Sequence, residues 1–104
     1  MSELIVAKRN PKHRPTHPGA ILREDILPAL HKPKAEIARL LGISRQHLYD
    51  IIDEKKPVSP DMAVRLGKLL GNGPGLWIRM QAEHDVWAAE RNVDVSAIPT
   101  LDVA

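Results

Sequence analysis

The segment Lys34–Asp53, KAEIARLLGISRQHLYDIID, constrains the fold more than any other part of the chain. Apolar residues stand at Ile37, Leu41, Ile43, Leu48 and Ile51, and Ala38 lies four residues before Gly42. That spacing describes two short helices joined by a tight turn, with the second free to enter a major groove. Ala38 is small where two helices cross closely. Gly42 stands where a left-handed backbone ends the first of them. Ser44 is a good N-cap for the second helix. Ile43 before it and Leu48 within it form a hydrophobic staple that sets the entry angle.

The flanking sequence supplies three more helices. The first begins at Pro18, since proline is tolerated at the first helical position. Its apolar stripe is Ile21, Leu22, Ile26 and Leu30, with Arg23, Glu24 and Asp25 facing water. Pro28 interrupts the stripe, so the helix either kinks there or ends near Leu27. Ser59-Pro60-Asp61 opens a fourth helix with a cap, a first-turn proline and an acid at the positive dipole end. Met62, Ala63, Leu66, Leu69 and Leu70 carry it to Gly71. A fifth helix spans roughly residues 74–91, with Leu76, Trp77, Ile78, Met80, Val86 and Trp87 among its apolar positions. Val93 and Val95 alternate weakly, which leaves the tail open between a short strand and irregular chain. The expectation is an all-α, five-helix, lambda-repressor-like domain at 16–91. A basic N-terminal arm (1–15) precedes it and a tail (92–104) follows. Phenylalanine is absent, so the core is aliphatic.

At 104 residues the chain has room for one domain. It lacks cysteine, which excludes disulfides and thiolate metal sites. No apolar run approaches the roughly 20 residues of a membrane span. Basic residues near the N-terminus are followed by no long apolar run, which argues against a secretory signal. The simplest placement is cytoplasmic. Net charge is +2 but uneven. Residues 1–56 hold 11 Lys and Arg against 7 Asp and Glu, whereas residues 57–104 hold 4 against 6. A positive half around the helix pair suits a polyanion, and the acidic half suits another protein.

Five histidines invite a metal reading, but His13 and His17 lie in a proline-broken segment and no ligand set follows. No phosphate-binding glycine loop or nucleophile motif occurs, which argues against an enzyme. No cofactor is expected.

Three blocks resemble the HigA-type antitoxins, a branch of the Xre and lambda-repressor-like helix-turn-helix family. They are THPGAILREDIL, IARLLGISRQHLYDIIDEKKPVSPDMAVRLGKLLG and LWIRMQAEHDVW, in order over about residues 16–90. The first and third separate this branch from generic Xre repressors. The chain departs from the family at His31, where glycine is usual, and at Pro33, where a Ser or Thr cap is usual. The resemblance implies a homodimer on a palindromic operator that represses its own operon. It also implies binding of a small HigB-type toxin of the RelE-like class, which cleaves messenger RNA. The alternative is a stand-alone Xre-family regulator without a toxin. A protein-interaction module that has lost DNA binding is a further rival, and Arg45 and Gln46 argue against it.

In such a fold the outward face of the third helix reads base edges. Arginine bridges guanine O6 and N7, and glutamine bridges adenine N6 and N7. Arg45 and Gln46 therefore lead the candidate DNA contacts, with Ser44 at the cap and His47 beside them. Tyr49 suits a sugar or phosphate contact. Asp50 suits acceptance from a cytosine amine, or orientation of Arg45 or Lys34. Lys34, Lys55 and Lys56 suit phosphates. Met80, His84 and Trp87, near one face of the fifth helix, are the candidate dimer contacts, because methionine and aromatics are enriched at interface centres. Trp77 is expected in the core.

Overall fold

Proline and histidine shape the first helix, α1 (residues 18–30). In the computed structural model, which describes residues 14–103, α1 starts on Pro18 with His17 as its N-cap. The His17 Nδ1 accepts from the Gly19 N–H at 2.9 Å. Of the two outcomes that Pro28 allows, a kink or an end near Leu27, the helix does not take the second. It opens into a π turn at Leu22–Ile26 and then resumes as Leu27–Leu30. Pro28 has no N–H to give, and its ring would crowd the carbonyl four residues earlier. The wider turn, with the Leu27 N–H bonded to the Leu22 carbonyl, lets the helix run through the proline. His31 ends it at φ 54, in the left-handed region that glycine usually fills.

Helices α2 (Lys34–Leu41) and α3 (Arg45–Ile52) form the expected pair. Pro33 gives α2 no side-chain cap. Gly42 turns the chain at φ 73, and the Ser44 hydroxyl accepts from the His47 N–H at 3.0 Å. Ile37, Ala38 and Leu41 of α2 meet Leu48, Ile51 and Ile52 of α3 in the core. Helix α4 (Pro60–Leu70) is capped by Ser59 and closed by Gly71 at φ 77. Its Arg65 donates to the Leu41 carbonyl at 2.8 Å, which satisfies the open end of α2.

Helix α5 (Gly75–Asn92) closes the domain. Trp77 is fully buried, and its indole N–H reaches the Asn72 side chain at 3.3 Å. Gln81 is buried too. Its Oε1 accepts from the Val58 N–H at 2.8 Å, and its Nε2 donates to Asp85 at 2.9 Å. The first bond stitches α5 to the loop before α4, and the second, within α5, satisfies the other end of the buried amide. Gly19 serves close approach: a Cβ there would collide with the Ile51 carbonyl, so the first turn of α1 rests directly on the end of α3.

Among the described residues there is no strand, as an all-α domain requires. The alternation at Val93 and Val95 resolves as irregular chain, with one turn from the Val95 carbonyl to the Ile98 N–H. Val93, Val95, Ile98, Leu101 and Val103 are all exposed. Arg23, expected in water, is half-buried and donates to the Ile52 carbonyl at 2.6 Å. Most of the basic arm lies outside the described residues. Of its end, Pro15 is buried and Arg14 lies 3.7 Å from Glu54.

Two outcomes follow from α1. His31→Gly removes left-handed strain from an exposed position, and urea unfolding should show a gain of about 1 kcal/mol. Burial, with help from His84, holds the His17 pKa below its ordinary 6.5, against the smaller pull of Glu54 and Asp85. The unfolded chain therefore takes this proton first. Stability should be full above pH 6.5 and fall as the pH drops below it, and His17→Asn, which keeps a cap, should flatten that slope in urea titrations.

Candidate nucleic-acid interface

An eight-residue helix buries one face and presents the other. In α3 the buried side is Leu48, Ile51 and Ile52. Arg45, Gln46 and Tyr49 are exposed on the opposite side, and His47 is half-buried at its edge. Ser44 spends its hydroxyl on capping, so its contribution is to fix where the helix begins. Arg45 is the first residue of α3, where the backbone N–H groups and the positive dipole end also point outward.

Asp50 organises the rest of the face. Its Oδ1 accepts from Gln46 Nε2 at 2.8 Å, and its Oδ2 lies 3.5 Å from Lys56 Nζ. The Gln46 bond first, and then Lys56, hold this carboxyl below its usual pKa range, so it stays ionised. Asp50 therefore orients Gln46 and Lys56, not Arg45 or Lys34 as the spacing allowed. That bond uses one of the Gln46 amide's two N–H groups, and the amide has a second N–H and a carbonyl oxygen besides. The backbone N–H groups of Lys55 and Lys56 both bond to the Asp50 carbonyl, at 2.8 and 3.0 Å, which sets the turn that carries both exposed lysines.

Lys34 sits apart from this group, at the first residue of α2. It lines a cleft of about 260 Å³ with Arg23, His31 and Lys32. Sequence reasoning missed Lys32 and His31. The signal was present as the basic run HKPK at a helix start with no side-chain cap.

The candidate dimer residues are divided by the fold. His84 packs edge-on against His17, with ring centroids 4.9 Å apart, and its Nδ1 lies 3.4 Å from Asp85. Met80 is half-buried. Trp87 is half-buried beneath the Arg91 guanidinium, 3.8 Å from its ring centroid, and its indole N–H is buried without an acceptor. Val86 on α5 and Val93, Val95, Ile98, Leu101 and Val103 of the tail are exposed aliphatics to which the sequence pattern assigned no contact.

A short helix with a polar, outward face, held by a tight turn against a second helix, defines a helix-turn-helix protein. No family profile matches the chain. Solved structures do. The antitoxin HigA of Pseudomonas aeruginosa, solved with the higBA promoter, is 33% identical. It superposes with a TM-score of 0.73 over 85% of this chain and 100% of that one. The antitoxin GraA in complex with its operator is 34% identical, with a TM-score of 0.78 over 92% and 98%. The HTH-type transcriptional regulator YbaQ of Escherichia coli K12 is 32% identical, over 77% of this chain and 71% of its own length. The chain belongs to the HigA-type antitoxin family of helix-turn-helix regulators.

Proposed function

We propose that this protein is the antitoxin of a type II toxin-antitoxin module. It binds operator DNA, represses its own operon, and holds a RelE-like, messenger-RNA-cleaving toxin of the HigB type inactive. The reading is carried by the exposed face of α3, where Arg45, Gln46 and Tyr49 stand clear of the core. Its relatives HigA and GraA were solved on a promoter and an operator. Arg45 and Gln46 read base edges. Ser44, His47, Tyr49 and Asp50 set or support them. Lys34, Lys55 and Lys56 meet phosphates, as Lys32 does from its cleft. No catalytic step, metal or cofactor enters this reading, and the site of action is the cytoplasm.

One helix-turn-helix covers a half-site, so tight, specific binding calls for a homodimer on a palindrome. The face of α5 that bears Met80, His84 and Trp87 is the proposed subunit contact. The exposed Val86 and tail aliphatics are further apolar surface that gains by leaving water. A stand-alone regulator without a toxin is the second reading; the name of YbaQ says only that it is an HTH-type transcriptional regulator.

Growth of cells expressing the adjacent small reading frame, with and without this chain, separates the two. Toxicity relieved by this chain is the expected result, and a neighbour without toxicity leaves the stand-alone regulator. In binding titrations, Arg45→Ala should cost about 1–3 kcal/mol at the operator and relax preference at one base position. Lys56→Ala should weaken all duplexes alike and lower the salt slope by about 1. Two mutants that bind like the wild type would sink the assignment of this face.

A further inference from the structure

The carboxyl end of α3 carries a cluster for which base reading has no direct use. From α1, Arg23 Nη1 donates to the Ile52 carbonyl at 2.6 Å and lies 3.3 Å from Glu54 Oε2. Its Nε bonds to Glu24 at 2.7 Å, and Arg14 approaches the other Glu54 oxygen at 3.7 Å. A cation at this end also opposes the negative pole of the α3 dipole.

Glu54 itself is held at φ 63. Where α2 and α4 end, this chain puts glycine in the same left-handed region, at Gly42 and Gly71. At the end of α3 it retains a side chain where glycine would relieve the strain. The residue held there, like His31 at the end of α1, is not glycine; it carries a carboxylate whose described partners are Arg23 and Arg14.

We infer that Arg23 and Glu54 are positioning residues for sequence reading: they fix the angle of α3 from its far end. The inference rests on the DNA reading above. An eight-residue helix is about 12 Å long, so a tilt of about 10° at Ile52 moves Arg45 by about 2 Å. That exceeds the whole span of good hydrogen-bond distances, so direct readout fails while attraction to phosphates survives. Gly19, pressed on the Ile51 carbonyl, supplies the fulcrum.

Glu54→Asn tests this, because asparagine tolerates the left-handed backbone but carries no charge. It should hold or raise the melting temperature while operator affinity falls about tenfold. Affinity for a scrambled duplex and the salt slope should not move. Arg23→Met should behave alike at the operator, and Arg23→Lys should restore part of the loss. Arg23 also lines the cleft that holds Lys34, so a direct phosphate contact is the rival role. It predicts a salt slope lower by about one and equal losses on both duplexes, which would overturn the inference. Wild-type operator affinity in Glu54→Asn would overturn it as well, as would a loss no greater than the fraction unfolded. If Arg23→Met does not fold, Glu54→Asn decides alone.

Hydrogen exchange without DNA gives a second reading. The Asp53, Lys55 and Lys56 amides bond to the Tyr49 and Asp50 carbonyls and should lose protection in both variants. Unchanged protection refutes the clamp. A wild-type chain that binds no operator refutes the DNA reading instead, and the exchange result still judges the clamp.

Discussion

Burial of Leu48 and Ile51, both wholly removed from water, is the constraint on which the rest of the molecule depends. A helix of eight residues is far too short to persist alone in water. Each of these side chains contributes about 1.5–3 kcal/mol on burial, and without that α3 has no reason to exist. The surrounding elements are arranged to supply the apolar surface. Ala38 lets α2 come close, and α1 lays its first turn on the carbonyl end of α3 through Gly19. The outward face of α3 is then free to carry polar residues that do nothing for stability.

The polar interactions follow the same logic at smaller scale. Helix ends leave carbonyls and N–H groups open, and this domain closes many of them with side chains from elsewhere. Arg65 of α4 closes α2, Arg23 of α1 closes α3, and Gln81 of α5 meets the Val58 N–H. Each bond is modest in net energy, yet each ties two elements in one orientation. For a helix proposed to read base edges, orientation matters more than the energy that maintains it.

Surface charge is organised by pairing as much as by sign. Asp50 looks misplaced on a face meant for a polyanion. Bonded to Gln46 and facing Lys56, it orders the side chains beside it. The negative residues of the second half cluster toward the other end of the chain, with Asp94 and Asp102 among the exposed aliphatics of the tail.

The helices were legible in the sequence wherever a local rule governs. Ser44 and Ser59 cap, Gly42 and Gly71 stop, and the apolar spacing of α2, α3 and α4 sets their inner faces, because caps and periodicity depend on neighbours within a turn. The family was legible for the same reason, as its blocks record those local demands in order. What the sequence left undecided depends on how the backbone adjusts and on which of several partners lies within reach. Pro28 does not end α1, because a π turn before it makes room. Arg23 is not a solvated charge, because a carbonyl 29 residues away lies within its reach. Asp50 chooses Gln46 and Lys56 over Arg45 and Lys34, since one lies a turn away on the same face and the other is brought back by the turn at Asp53 and Glu54. The sequence by itself determined the helices, their inward faces and the polar residues that stand outward on α3. Only the tertiary structure decided that Arg23 meets the end of α3 and that Lys56 comes back to Asp50, because the first contact joins groups 29 residues apart and the second depends on the turn at Asp53 and Glu54.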